Sequence, residues 1–276
     1  MLTKKNNLPM VARPVLACAA ALLFAGASFA SGDTAHLDKA NNDVANTASL
    51  QRGARNFVNY CLNCHSAKYM RYERLQDIGL TEQQIKDNLM FGTDKIGSTM
   101  TVAMTPDQAR SWFGAVPPDL SVEARVRGND WLYNYFLSFY KDDQSATGWN
   151  NLVFPNVGMP HVLWALSGPQ KLVVTEFDSH EKAVAATIAL KGLAKVEPAP
   201  GGKWLVKTVA VDPAAPGSLT PVEYRAWVAD LVNFLDYVAE PTKNKRISLG
   251  IMVLLYLGVL FVFVYALKRV YWKDVH

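Results

Sequence analysis

The sequence predicts a mostly α-helical domain with loop and β-hairpin insertions, followed by one C-terminal transmembrane helix. Several segments carry apolar residues at helical spacing and begin with capping residues. A charge-free stretch near the C-terminus is long enough to cross a bilayer. Residues 171–211 instead carry strand-like runs separated by turn residues. Together these observations divide the 276-residue chain into a leader, a folded domain and a membrane anchor.

Residues 1–30 have the composition of a cleaved secretory signal. A basic start is followed by an apolar run from Val15 to Phe29, and Ser28-Phe29-Ala30 supplies the small residues at which a signal peptidase cuts. An uncleaved anchor is the alternative, but the run is short and ends in small residues. We therefore predict cleavage near Ala30 and a folded domain, residues 31–242, in the periplasm.

The predicted membrane anchor is the stretch from Ile247 to Leu267, which carries no charge. At 1.5 Å per residue such a helix spans roughly the 30 Å hydrocarbon core of a bilayer. Tyr271 and Trp272 follow it as residues typical of the membrane interface. Because the domain before it is exported, residues 268–276 are expected in the cytoplasm, and the chain is expected to cross the inner membrane once.

The charge of the chain is unevenly distributed. The whole sequence has a formal charge of +4, but residues 31–242 contain 19 Lys or Arg and 23 Asp or Glu, which gives 19 − 23 = −4. A net acidic domain argues against nucleic acid as a partner, because nucleic-acid binding depends on a basic surface. The charge permits a basic soluble protein as partner but does not require one.

Several segments of the exported domain have helical character. Cap residues and apolar spacing mark residues 46–64, 81–89, 106 to just before Pro117, 119–125, 129–140 and 220–237. The last of these begins with a Thr, a Pro and, two residues later, a Glu, which is a typical helix start. Residues 92–105 and 141–160 are rich in turn residues and are predicted to be loops.

Residues 171–211 are predicted to form a β-hairpin insertion. Strand-like runs cover residues 172–177, 186–197 and 203–211. The sequence PAPGG between the last two runs is typical of a turn.

The residues that carry chemistry are Cys61, Cys64 and His65 in the sequence CLNCH. This spacing is the attachment motif of c-type haem. On a helical turn the three residues stand at i, i+3 and i+4 and share one face, so two thiols can bond the haem vinyl groups while the imidazole meets the iron. The alternatives are a redox pair, half of a zinc site, or a structural disulfide. A redox pair does not need the histidine, and a zinc site needs two further ligands. We therefore predict one covalently bound haem c.

The sixth iron ligand remains open on spacing alone. Methionine opposite histidine raises the potential of a haem and closes the iron to small ligands. Met70 is too near His65 to reach the opposite haem face, and Met90 lies within a predicted helix. Met104 and Met159 are the leading candidates, and His161 is a distant third.

Several motifs resemble the cytochrome c1 family over nearly all of the mature chain. They are the CLNCH sequence with Ser66-Ala67 and Tyr72-Glu73-Arg74-Leu75, the sequence GAVPPDLS at residues 114–121, the sequence FPNVGMP at residues 154–160, and the single C-terminal span. The PPDLS segment, residues 117–121, is much more specific to this family than CxxCH, which many cytochromes share.

This resemblance implies a cytochrome c-type haem domain in which Met159 is the axial ligand. It also implies that Pro118 lies at the haem and that an arginine contacts a haem propionate. Arg110 and Arg125 are the candidates, although Arg110 stands one residue closer to Gly114 than the family pattern requires.

The resemblance also implies a role. The chain would be an electron-transfer subunit of a quinol–cytochrome c reductase, the cytochrome bc1 complex, and no enzyme on its own. It would pass electrons from a Rieske iron–sulfur protein to a soluble cytochrome c, with cytochrome b as a further partner in a dimeric complex. The alternatives are a free-standing membrane-tethered cytochrome that serves a terminal oxidase, and a haem enzyme or gas sensor with an open iron.

Overall fold

The computed structural model describes residues 35–190 and 193–274, so the predicted secretory signal lies outside the described residues. The described α-helices are α1 (Thr47–Tyr60), α2 (Glu82–Leu89), α3 (Pro106–Phe113), α4 (Glu123–Arg127), α5 (Asn129–Leu137), α6 (Trp164–Ser167), α7 (His180–Leu190), α8 (Pro221–Ala239) and α9 (Lys243–Tyr271), and residues Tyr72–Ile78 and Pro200–Gly202 form 3-10 helices. The strands are β1 (Ala35–His36), β2 (Ala67–Arg71), β3 (Thr99–Met100), β4 (Phe139–Lys141), β5 (Trp149–Asn151), β6 (Gln170–Phe177), β7 (Ala194–Pro198) and β8 (Trp204–Val211).

The packing of α1 against α8 forms the centre of the core. Gly53 makes the close approach possible, because a Cβ there would lie 2.1 Å from the carbonyl oxygen of Asp230. Beside it the rings of Phe57 and Phe234, both fully buried, are 5.7 Å apart. Arg52 adds an ion pair to Asp230 at 2.6 Å at the edge of the interface. The glycine therefore sets the distance at which these aromatic rings can interlock.

Local capping signals place the helix starts where the sequence predicted them. Thr81 and Gln84 form a capping box at α2, and Thr105 and Gln108 form another at α3. At α8 the Thr220 side chain accepts from the backbone of Glu223. The predicted apolar face of α8 is buried throughout; it consists of Tyr224, Val228, Leu231, Leu235 and Val238.

Two predicted helix boundaries are wrong. The helix predicted at residues 119–125 begins only at Glu123, because the Asp119 carboxylate accepts from the backbone of Ser121 and holds the chain in a turn. The helix predicted to reach residue 140 ends at Leu137, because residues 139–141 pair with residues 149–151 as β4 and β5. These strands also occupy part of the region predicted to be a loop.

The insertion is more than a hairpin. Strands β7 and β8 pair around the expected turn, where the Ala199 N–H donates to the carbonyl of Lys203 at 2.8 Å. They belong to a four-stranded antiparallel sheet of order β1-β7-β8-β6. The strand predicted over residues 186–197 is wrong in its first part, since residues 180–190 form α7. Ala183 and Thr187, one helical turn apart, are both buried in α7, and its alanine-rich sequence suits a helix.

The chain ends in the long helix α9, which is the transmembrane helix. It is apolar enough to cross a membrane and none of its described side chains is buried. Lys243 at its start donates to the buried Asp236 carboxylate at the end of α8, at 2.9 Å. The fold is thus a mostly helical domain joined to a single membrane-spanning helix.

Candidate haem site

The CLNCH sequence forms a tight turn at the C-terminal end of α1. The backbone N–H groups of Cys64 and His65 donate to the carbonyl of Cys61 at 3.0 and 2.8 Å. The turn therefore carries both sulfur atoms and the imidazole within five consecutive residues. Neither thiol is in a disulfide; Cys61 is buried and Cys64 is half-buried. Burial raises the pKa of the Cys61 thiol to about 12, so this sulfur stays protonated at neutral pH.

The imidazole of His65 is held by the PPDLS segment. Its Nδ1 lies 2.7 Å from the carbonyl oxygen of Pro118. A carbonyl can only accept, so Nδ1 carries the hydrogen and Nε2 keeps a free lone pair. Burial also lowers the pKa of His65 and favours the neutral ring. The histidine thus has the tautomer and charge that an iron ligand needs.

Three further hydrogen bonds dock the PPDLS segment onto residues 66–69, directly after the CLNCH turn. The Leu120 N–H donates to the carbonyl of Ser66 at 2.8 Å. The Asp119 carboxylate accepts from the Lys68 N–H at 3.0 Å, and the Ser121 hydroxyl accepts from the Tyr69 N–H at 3.1 Å. These contacts fix the carbonyl that orients the imidazole.

Met159 lies in a loop that buried side chains hold in place. This methionine loop, residues 154–160, begins where the Asn151 side chain accepts from the Phe154 N–H at 2.9 Å. The Asn150 side chain accepts from the Asn156 N–H at 2.8 Å. The Tyr135 hydroxyl donates to the Met159 sulfur at 3.5 Å, and burial raises the pKa of that phenol, which keeps its proton. The sulfur therefore has a fixed position and a hydrogen-bond donor beside it.

The other methionines near the motif differ in their surroundings. Met70, Met90 and Met100 are buried in the main core. Met104 is half-buried, in the segment just before α3. The histidine that ranked third, His161, is also buried: its Nε2 is bonded to the Ser167 hydroxyl at 2.9 Å and its ring stacks on Phe139.

The arginine with the closest link to the methionine loop is Arg127, which the sequence reasoning missed. Its guanidinium lies 4.5 Å from the ring centroid of Trp131 and 5.5 Å from that of Phe154. Trp131 in turn stacks on Tyr135, the partner of Met159. The spacing of four residues between Arg127 and Trp131 is a feature of the sequence that could have indicated this contact.

The two arginines named from the resemblance have other surroundings. Arg110 forms an ion pair with Asp107 at 2.8 Å on an exposed face of α3. Arg125 is exposed; the hydrogen bond from Arg246 is the main cause that lowers the pKa of Glu240, and the charge of Arg125 adds to it.

These residues fit a covalently attached haem. The chain offers two free thiols, an imidazole whose Nε2 lone pair is free, and a thioether that its loop holds in a fixed position. Large apolar side chains are exposed at the end of α3, beside the PPDLS segment and around the methionine loop, and an apolar macrocycle could cover them. They are Trp112, Phe113, Val116, Val122, Phe154 and Val162. Among the described residues no group of three or more His, Cys, Asp or Glu is placed to hold a metal ion.

Comparison with known proteins identifies the family. The model of the Cytochrome C1 family matches residues 38–184 and 219–275. The chain belongs to the cytochrome c1 family. A cytochrome c1 from Allochromatium vinosum is 47% identical over 256 residues, which cover 92% of this chain and 96% of that protein. A cytochrome c1 from Rhodospirillum rubrum is 29% identical over 245 residues, 82% of this chain and 81% of the relative.

A third relative has a different name. The protein called ammonia monooxygenase gamma subunit from Nitrosomonas europaea is 44% identical over 257 residues, 93% of this chain and 96% of its own length. Family membership makes this chain a haem electron-transfer subunit of the bc1 type, which is not an enzyme alone. The family match omits residues 185–218, which include β7 and β8 of the insertion.

Proposed function

We propose that this chain carries one haem c, bonded through Cys61 and Cys64, with His65 Nε2 and Met159 Sδ on the iron. The single observation that carries this proposal is the 2.7 Å contact between His65 Nδ1 and the Pro118 carbonyl. It links the attachment motif to the segment most specific to the family and leaves Nε2 free. When bound, the haem supplies one-electron transfer at its iron.

The protein residues have positioning tasks in this proposal. The Pro118 carbonyl orients the imidazole, and the Tyr135 hydroxyl holds the Met159 sulfur. Arg127 contacts a haem propionate, because it is linked through Trp131 and Tyr135 to the methionine loop. It also forms an ion pair with Glu123 at 2.8 Å, as Arg110 does with Asp107. No side chain has to transfer a proton in this reaction.

The proposed role is electron transfer from a Rieske iron–sulfur protein to a soluble cytochrome c in a dimeric quinol–cytochrome c reductase that also contains cytochrome b. Residues 31–242 would lie in the periplasm after cleavage near Ala30, and residues 268–276 in the cytoplasm. The family supports the complex, and the exposed apolar helix α9 supports a single inner-membrane anchor. The net charge of −4 on residues 31–242 suits a basic acceptor.

A mild-detergent pull-down through a tag on the C-terminal tail tests this role. We expect b-type haem to accompany c-type haem in the reduced-minus-oxidised spectrum, together with quinol-dependent reduction of cytochrome c. If only c-type haem is recovered and quinol activity is missing, the chain is a free-standing carrier. Recovery with a monooxygenase, as the name of the Nitrosomonas relative suggests for that protein, would also contradict the proposal.

A further inference from the structure

The end of α5 is bonded by side chains from outside that helix. The final four carbonyls of an α-helix have no partner within it. The buried Gln170, the first residue of β6, bonds two carbonyls in this region: its Nε2 donates to Leu137, the last residue of α5, at 3.1 Å, and to Phe139, the first residue of β4, at 3.0 Å. Both hydrogens of this amide nitrogen are therefore in use.

The same end of α5 carries the residue that lies beside the Met159 sulfur. That residue is Tyr135, whose hydroxyl contacts the sulfur and whose own carbonyl accepts from Asn151 Nδ2 at 2.8 Å. The next carbonyl, that of Phe136, accepts from the Tyr224 hydroxyl at 2.8 Å. Three side chains, one each from β5, α8 and β6, therefore hold the last turn of the helix in which the tyrosine lies.

A second contact joins the start of β6 to the other end of the methionine loop. His161 follows that loop directly, and its Nε2 lies 2.9 Å from the Ser167 hydroxyl. This hydroxyl donates its single hydrogen to the carbonyl of Gly168 at 2.7 Å, so His161 is the donor in the first contact. Gly168 stands two residues before Gln170. The His161 ring also stacks on Phe139, with the ring centroids 4.8 Å apart. The start of β6 is thus connected to both sides of the sulfur.

Among the described residues, the insertion and the main core share no apolar cluster. The insertion has a small core of its own, formed by Ala183, Ala194, Val196 and Val206. Of the eight residues of β6 only Gln170 is buried. A hydrogen-bonded amide at such a junction fixes direction as well as distance, which apolar packing does not.

We propose that Gln170 is a positioning residue for the iron ligand Met159, and that the insertion acts on the haem through this amide. By bonding two backbone carbonyls, Gln170 keeps the last turn of α5 and the Tyr135 hydroxyl in place, which holds the Met159 sulfur at the iron. The potential that thioether ligation gives, and the exclusion of small ligands from the iron, then depend on a residue outside the methionine loop. The inference rests on the proposed ligation by Met159.

The test uses the full-length haem-loaded chain, extracted from its membrane in mild detergent. Gln170→Met keeps the length of the side chain and removes both donors, and Gln170→Glu replaces the amide NH2 group by an acceptor. We expect both variants to lower the haem midpoint potential. We also expect carbon monoxide to bind the reduced variants about tenfold faster, because one or two lost hydrogen bonds weaken ligation by about that factor. Thr175→Val, at an exposed position of the same strand, is the control and should change neither quantity.

A double variant separates this role from a general loosening of the domain. If Gln170 acts through the sulfur, Gln170→Met added to Met159→Leu gives the same potential and the same carbon monoxide rate as Met159→Leu alone. A further change in the double variant would overturn the proposal. So would single Gln170 variants that match the control in both haem measurements, even if their midpoint of thermal unfolding falls.

Met159→Leu alone shows which proposal has failed. If this variant opens the iron to carbon monoxide and the Gln170 variants do not, the ligation stands and the role of Gln170 is wrong. If Met159→Leu changes neither the potential nor the carbon monoxide rate, the proposed ligation is wrong, and the role of Gln170 fails with it.

Discussion

Two features of the protein act on the Met159 sulfur. The methionine loop fixes its position through Asn150 and Asn151, and the Tyr135 hydroxyl withdraws electron density from it. Thioether ligation favours reduced iron and thus raises the potential of a haem. Substitutions at Met159 and at Tyr135 test the sulfur and the hydroxyl separately.

Met159→Leu is expected to lower the haem midpoint potential by on the order of 100 mV and to stop turnover of the complex, because a thioether ligand is lost. Redox titration of the purified protein measures this. The matched control is Met104→Leu, which should leave the potential unchanged. If Met104→Leu lowers the potential and Met159→Leu does not, Met104 is the ligand.

Tyr135→Phe is expected to lower the potential by less, roughly 40 mV, which is the one-electron equivalent of about 1 kcal/mol for a lost hydrogen bond. The sulfur then donates more strongly to the oxidised iron. Tyr69→Phe, at an exposed position, is the control for the same titration. A potential equal to that of the control would mean that the 3.5 Å contact has no effect on the haem.

At the scale of elements, the contact between α1 and α8 depends on the missing side chain at Gly53. Gly53→Ala places a Cβ 2.1 Å from the Asp230 carbonyl oxygen, so the helices must separate. We expect a loss of about 3 kcal/mol in the free energy of unfolding. Gly92→Ala, where a Cβ meets nothing within 4 Å, is the control. Thermal unfolding of both variants measures the difference, and equal midpoints would contradict the role of Gly53.

The sequence predicted those elements whose signals are local. Capping residues such as Thr81, Thr105 and Thr220 act on their own backbone, and the helices after them begin where expected. The pairing of β4 with β5 joins separate segments, and the start of α4 is set by the turn in which the Asp119 carboxylate accepts from the Ser121 N–H. Neither contact is contained in a periodic pattern.

The same distinction applies to the insertion and to the site. The run that includes residues 186–190 is apolar enough for a strand, but it continues an alanine-rich helix in which the buried Ala183 packs with Val196 and Val206. The haem-attachment motif could be recognised from the sequence because its residues lie within five consecutive positions. The link from Arg127 through Trp131 to Tyr135 joins the methionine loop only in the folded chain, so the sequence alone did not single out this arginine.

At the scale of the whole molecule, the domain and its anchor are joined by ion pairs rather than by a shared core. Lys243 bonds Asp236, and Arg246 bonds Glu240, while no described side chain of α9 is buried. The folded domain therefore does not need the membrane helix for its packing.

A chain that ends after Arg246 keeps both ion pairs and should be a soluble haem protein with an unchanged spectrum. We expect it in the periplasmic fraction, without cytochrome b. Fractionation and a haem difference spectrum test this, with the full-length chain as control. Aggregation, or loss of the haem spectrum, would show that α9 contributes to folding of the domain.

In the proposed export of the domain, the distance along the chain between α1 and its partner α8 would set an order of events. The Ser49 hydroxyl bonds the Asp230 carboxylate, 181 positions later, so α1 would cross the membrane long before α8. Cys61 is buried in the core that contains residues of both helices. In the proposed attachment, the Cys61 thiol would therefore be accessible to haem before α8 packs on α1, and a slower arrival of α8 would lengthen the time available for attachment.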